Sequence, residues 1–210
     1  MSMTSRERLL IALENGRPDR LPCQVHGWMG YYLDRYLDGA DWYQAYERFG
    51  MDYAIYVSPR YTYAAQDQAN WQAERTDLGT DEDGNRSWRE VIATPDGQLT
   101  SAGAANPITG WTTDHLIKSQ ADFELWNRYC PIPVGVDTRD IQAARDRLGD
   151  KGIVRSHPFS PGQGSPWQSF CTMIGTQEAI YLAMDEPDWL HFAMDAILQR
   201  TLRVTEMWAG

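Results

Sequence analysis

The stretch Gly152-Ile-Val-Arg-Ser-His-Pro-Phe-Ser-Pro-Gly-Gln-Gly-Ser-Pro-Trp167 decides the expected fold. A short apolar run leads into glycine, proline and polar residues, and a helical pattern begins near Gln168. A strand that ends in such residues just before a helix is typical of the active-site end of a parallel α/β unit. We therefore expect His157 and Arg155 to stand at the carboxyl end of a strand, as catalytic residues facing a small substrate.

We expect a substrate- or cofactor-binding surface at the same level of the fold. His26 and Trp28 end an apolar stretch and could line a cofactor pocket; a packed, hydrogen-bonded histidine is the alternative. Arg155 could bind an anionic group, or it could pair with a neighbouring carboxylate. The other candidate binding residues lie at or beyond the ends of predicted strands: Tyr31, Ser58, Arg60, Ser160, Gly162 and Trp167.

The composition argues against several classes of protein. The chain has 210 residues, with 29 acidic and 19 basic side chains and a formal net charge of -10. Nucleic acid is therefore a poor partner, since its phosphates attract clustered lysine and arginine. No run reaches the roughly 18 to 20 apolar residues of a membrane helix. Cys23, Cys130 and Cys171 are few and widely spaced, which argues against a disulfide framework and favours a cytoplasmic protein.

Helix and strand patterns alternate along the chain. Three apolar runs, 21–28, 52–57 and 152–156, predict buried parallel strands. Turn sequences within 71–116 predict an antiparallel β-hairpin inserted into this alternation. Helices are predicted from the Thr4 and Glu7 capping-box spacing onward, from the Ser119 and Asp122 capping-box spacing onward, and after Asp137-Thr138 as far as Leu148 and Gly149. Further helices are predicted at 31–37, 41–49, 168–174, 177–184 and 187–208. The pattern indicates an α/β fold, organised as a single domain over 1–210.

Several short motifs resemble a known family. They are Ser5-Arg-Glu-Arg-Leu-Leu-Ile-Ala-Leu-Glu-Asn-Gly16, Pro18-Asp-Arg-Leu-Pro22, Leu116-Ile-Lys-Ser-Gln-Ala-Asp122, Ser165-Pro-Trp167 and Asp185-Glu-Pro187. Together they resemble uroporphyrinogen decarboxylase-like proteins. The resemblance implies that the chain is the N-terminal portion of a (β/α)8 TIM barrel, with its active site at the carboxyl ends of the strands.

The departures from that family favour one of its two chemistries. In the run 26–32, Gly27 and Tyr31 stand where the decarboxylases have two arginines, and Pro59 replaces an aspartate. A tetrapyrrole with eight carboxylates needs such cations, because arginine binds carboxylate through two parallel hydrogen bonds. The resemblance therefore points to the corrinoid-dependent methyltransferase branch, with cobalamin as cofactor. Its zinc would require ligands beyond Gly210, since the chain has no His-x-Cys and no Cys-x-x-Cys pair.

We expect an enzyme that acts on a small methylated substrate. A separate corrinoid protein is one expected partner. Two alternatives stay open: a decarboxylase of the uroporphyrinogen type in tetrapyrrole metabolism, and a non-catalytic truncated barrel. Because a few parallel strands leave unpaired edges, an oligomer or a complementing chain is the further partner expected.

Overall fold

The computed structural model describes residues 3–156 and 165–209. The helices are α1 Ser5–Leu13, α2 Gly30–Tyr36, α3 Trp42–Phe49, α4 Ala65–Ala69, α5 Gln120–Tyr129, α6 Arg139–Leu148, α7 Pro166–Ile174, α8 Thr176–Asp185 and α9 Pro187–Ala209. The strands are β1 Tyr53–Tyr56, β2 Arg60–Thr62, β3 Gln72–Thr80, β4 Arg86–Thr94, β5 Gly97–Ala105, β6 Gly110–Asp114, β7 Gly135–Asp137 and β8 Gly152–Arg155.

The chain divides into two compact units. Among the described residues, the first unit comprises 3–60 and 137–156, and the second comprises 61–136 and 165–209. The organisation of 1–210 as one domain stays a prediction.

The first unit is built on a parallel pair of strands, β1 and β8. Tyr53 lies opposite Gly152 and Tyr56 lies opposite Arg155. Gly152 permits this close approach, because a Cβ atom there would lie 2.0 Å from the Tyr53 carbonyl oxygen. A buried cluster that includes Tyr46, Tyr53, Ile55 and Leu148 packs around the strands. The strands predicted at 52–57 and 152–156 are therefore both present and parallel.

A buried ion-pair network lies at the amino end of this strand pair. Asp52 immediately precedes β1 and its side chain is fully buried. It accepts hydrogen bonds from the side chains of Arg8, Arg20 and Ser5 and from the backbone amide of Cys23, at 2.5 to 3.0 Å. Burial alone would raise the pKa of Asp52, but these hydrogen bonds outweigh it, so its pKa lies below the usual value. The network ties α1 and the segment after it to the start of β1.

The prediction of a strand at 21–28 is wrong. This segment runs without strand pairing between α1 and α2. Individual hydrogen bonds join its backbone to the rest of the first unit. The Asp52 amide donates to the Cys23 carbonyl at 2.7 Å, and the Tyr46 hydroxyl donates to the Val25 carbonyl at 3.0 Å. The segment is therefore held by a few individual hydrogen bonds, and not by the ladder of backbone hydrogen bonds that a strand would form. A prolyl residue, Pro22, also lacks the amide that a ladder would use.

The second unit contains an antiparallel sheet in the order β3-β4-β5-β6. The two strands predicted around Pro95-Asp96-Gly97 lie within β4 and β5, which pair from Arg86 opposite Ala105 to Thr94 opposite Gly97. The sheet is thus larger than the predicted hairpin. Helices α5, α7, α8 and α9 pack with it around a core that includes Ile92, Leu99, Phe123, Phe170, Ile197. β2 and β7, most of whose residues belong to this unit, pair with each other.

The fold is mixed α/β, as predicted. In the part of the chain that the structure describes, none of the sheets closes into a barrel. None of the described helices is both long and apolar enough to cross a membrane.

Candidate functional site

The carboxyl end of the β1–β8 pair brings together three side chains of the first unit. Arg155 ends β8, and its guanidinium carbon lies 4.7 Å from the ring centroid of Tyr56, the last residue of β1. The Arg155 Nη2 group donates to the carbonyl oxygen of His26. The His26 ring meets Tyr56 edge to face, with centroids 6.3 Å apart. Two predicted site residues, Arg155 and His26, are therefore adjacent, with Tyr56 between their side chains.

Two polar side-chain atoms at this end of the strands are buried without a hydrogen-bond partner among the described residues. They are Nε of Arg155 and Oγ of Ser156. A buried donor without a partner costs about 1–3 kcal/mol, which is why such groups are rare in folded proteins. These two atoms are therefore candidate donors to an oxygen atom of a ligand.

The Trp28 ring is packed into the first unit. It stacks with Tyr32 and Phe49, at centroid distances of 6.0 Å and 5.6 Å, and meets Tyr46 edge to face at 5.8 Å. These contacts use the ring as part of an aromatic core. Trp28 therefore packs as part of this core, and its indole Nε1 is buried without a hydrogen-bond partner among the described residues.

Tyr46 holds the segment that carries His26. Its hydroxyl donates to the carbonyl oxygens of Val25 at 3.0 Å and of Ala54, in β1, at 3.3 Å. Burial raises the pKa of the Tyr46 phenol, so the hydroxyl keeps its proton and remains a donor at neutral pH. Sequence reasoning missed this positioning role. The only signal in the sequence was an aromatic residue on the inner side of a predicted helix.

The other predicted binding residues do not join this cluster in the described structure. Ser58 is exposed, and Arg60 forms a solvent-exposed ion pair with Asp140 at 2.7 Å. Tyr31 lies on α2, where the Arg35 guanidinium is 5.9 Å from its ring centroid. Trp167 lies on α7 of the second unit and is 42% exposed. The predicted residues His157, Ser160 and Gly162 lie outside the described residues.

No described cluster of side chains is suited to a metal ion or to thiolate chemistry. Within 3–156 and 165–209, no group of three or more His, Cys, Asp or Glu residues could hold a metal. Burial raises the pKa of the Cys130 and Cys171 thiols, which favours the protonated, less reactive form. The chemistry available at the described site is therefore that of a cationic donor beside aromatic rings.

Comparison with known proteins adds no family assignment. No family model, no curated protein and no solved structure matches the chain. The resemblance to the uroporphyrinogen decarboxylase-like family stays a prediction, and function is argued from the site.

Proposed function

We propose that the chain forms part of a uroporphyrinogen decarboxylase-like enzyme of the corrinoid-dependent methyltransferase branch. In this proposal it is the N-terminal portion of a TIM barrel, and it binds a small methylated acid at the carboxyl ends of β1 and β8. The observation that carries the proposal is the position of Arg155. Ligands of parallel α/β folds bind at this end of the strands.

Arg155 would bind the anionic group of the substrate. Its Nη2 is used by the His26 carbonyl, whereas its Nε is buried and has no partner in the described part of the chain. An oxygen of a carboxylate placed at Nε would complete a charge-assisted hydrogen bond. The Tyr56 ring below the guanidinium fixes its plane, so little side-chain entropy is lost on binding. One guanidinium suits one carboxylate, which favours a small acid over a tetrapyrrole.

The described residues at this site do not fit a corrinoid held by the chain itself. A flat macrocycle needs an open apolar platform, but Trp28 is stacked with other rings and Tyr56 is covered by Arg155. Zinc likewise has no ligand cluster among the described residues. In the proposal, a separate corrinoid protein presents the cobalamin, and this chain binds and orients the small substrate.

Decarboxylation of a small acid is the second candidate, because it would use the same contact. Arg155 would orient the acid; loss of carbon dioxide would break the bond to the carboxylate carbon, and the electron pair left on the neighbouring carbon would take a proton from water. The namesake reaction on a porphyrinogen is disfavoured, since Gly27 and Tyr31 stand where its arginines belong.

A non-catalytic barrel fragment is the third candidate. Among the described residues, β8 pairs with β1 alone, so the parallel sheet of the first unit has only two strands. Two strands bury little surface by themselves, and unpaired strand edges favour pairing with another chain. A complementing chain or an oligomer would supply the missing strands.

The experiment that separates these candidates follows the fate of small methylated acids. The purified chain is incubated with a panel of N-, S- and O-methylated carboxylic acids, with and without reduced cobalamin, and products are followed by NMR. Cobalamin-dependent loss of the methyl group that disappears in Arg155→Gln and persists in the matched surface variant Arg60→Gln supports the methyltransferase. Release of carbon dioxide without demethylation supports the decarboxylase and contradicts the first proposal. Absence of both reactions, with a self-associated species in sedimentation, supports the third candidate.

A further inference from the structure

A small polar cavity of about 210 Å³ lies in the second unit. Its polar lining comes from α4 and the residue after it, the end of α5 and α9: Asp67, Asn70, Asn127, Arg128, Tyr129, Arg200 and Arg203. In a chain of net charge -10, a cavity wall with three arginines and one carboxylate is an exception to the general composition.

Arg200 is a buried cation at the wall of this cavity. The residue is 8% exposed, and its guanidinium lies 4.6 Å from the Trp126 ring centroid. It donates to the carbonyl oxygens of Asn127 at 3.1 Å and Cys130 at 2.6 Å. No carboxylate of the described residues lies within ion-pair distance of it. Burial is the main cause that lowers its pKa; the like charge of Arg203 adds a smaller lowering, and Cys130 and Asp67 act in the opposite direction. A buried charge of this kind is costly unless an opposite charge accompanies it.

The neighbouring charges leave the cavity positive. Arg128 is already paired with Asp96 at 2.6 Å. Arg203 is exposed and forms no ion pair within the described chain. Two guanidinium groups, those of Arg200 and Arg203, therefore face a single lining carboxylate, that of Asp67.

A purely structural role accounts for part of this arrangement. Arg200 reaches the last carbonyl groups of α5, which lack partners inside the helix, and a cation is favourable at that helix end. This role accounts for the contacts that Arg200 makes with the carbonyl groups at the end of α5. It does not explain why Arg203, one turn further along α9, lines the same cavity together with Asn70 and Asn127.

We infer that this cavity is a binding site for a small oxyanion, a phosphate group in the first place. Two guanidinium groups and two carboxamides offer donors to several oxygens at once, which suits phosphate. The volume lies below the roughly 300–1,000 Å³ of sites for drug-sized ligands, so the ligand is inorganic phosphate or a small phosphate monoester.

Calorimetric titration of the chain with phosphate tests the inference. Wild type should bind one phosphate per chain above a sodium chloride control of equal ionic strength, and methyl phosphate should bind comparably if a monoester is the ligand. Arg203→Ala should weaken binding by about tenfold, because it removes an exposed charge-assisted contact without disturbing the core. Arg89→Ala is the matched control, since Arg89 is an exposed arginine on β4 that does not line the cavity.

Equal phosphate affinity in wild type and Arg203→Ala would overturn the inference, as would binding no stronger than that of chloride. Equal weakening by Arg89→Ala would also overturn it, because the effect would then be one of net charge. Arg200→Lys keeps the buried charge but loses the fork of donors, so weaker phosphate binding with an unchanged fold separates ligand binding from helix capping. An acetate titration decides between planar and tetrahedral oxyanions: tighter acetate than phosphate binding would contradict the preference for phosphate.

Discussion

The two ends of the β1–β8 pair differ in how their polar groups are satisfied. At the amino end, the buried carboxylate of Asp52 accepts hydrogen bonds from two arginines, a serine and a backbone amide. At the carboxyl end, Nε of Arg155 and Oγ of Ser156 are buried without partners in the described residues. A completed network stabilises the fold, whereas donors left without partners are available to a ligand. We therefore expect substitutions at the amino end to change stability and those at the carboxyl end to change binding.

The largest effect is expected for Asp52→Ala. The substitution leaves the nearly fully buried Arg8 with a missing partner, and removing one member of a buried ion pair costs about 3–5 kcal/mol. The free energy of unfolding, measured by urea titration, should fall by that amount. Asp140→Ala, which breaks the exposed pair with Arg60, is the control and should cost about 0–1 kcal/mol. Equal losses of unfolding free energy in the two variants would contradict the structural role assigned to the amino end of the β1–β8 pair.

A smaller loss is expected for Gly152→Ala. The added methyl group would lie 2.0 Å from the Tyr53 carbonyl oxygen, so β8 must move away from β1. Overpacking of this kind costs about 1–3 kcal/mol and should lower the urea midpoint. Gly30→Ala is the matched control, because a Cβ atom there meets nothing within 4 Å. A Gly152→Ala variant as stable as Gly30→Ala would show that the strands are not packed as described.

Arg155→Gln should change ligand binding more than it changes stability. It removes one hydrogen bond to the His26 carbonyl and a contact with Tyr56, for which a stability loss of about 1 kcal/mol is expected. Binding of small carboxylates, followed by calorimetry, should be lost. If stability fell as far as in Asp52→Ala while binding persisted, the carboxyl end would be structural as well.

The smallest effect concerns pH. Hydrogen bonds from Arg8, opposed by burial, lower the pKa of Asp19 from 3.8 to about 2. A carboxylate whose pKa is lower in the folded state contributes stability above its unfolded pKa and loses it as the pH falls through the folded pKa. The urea midpoint should therefore drop between about pH 4 and pH 2. Asp19→Asn should reduce that slope, and an unchanged slope would contradict the proposed linkage.

The predictions that succeeded depended on neighbours in the sequence. The Thr4 and Glu7 capping box starts α1, and Gly50 ends α3 in the left-handed conformation, as these residue types favour. The prediction for 21–28 failed because apolar alternation does not distinguish a strand from an extended segment held by single hydrogen bonds. Arg155 and His26 were predicted as site residues from the sequence, and the structure places them side by side, whereas their contacts with Tyr56 and the hydrogen bonds of Tyr46 were not predicted.

By itself, the sequence determined the local elements: the capped helices, the apolar strands β1 and β8 and the turns of the antiparallel sheet. Only the tertiary structure decided that Asp52 joins Arg8 and Arg20 and that Arg155 lies over Tyr56 beside His26. The physical reason is the sequence separation over which each interaction acts. Capping and turn formation act over three or four residues, whereas ion pairs and ring contacts join residues that are far apart in sequence and meet only when the core closes.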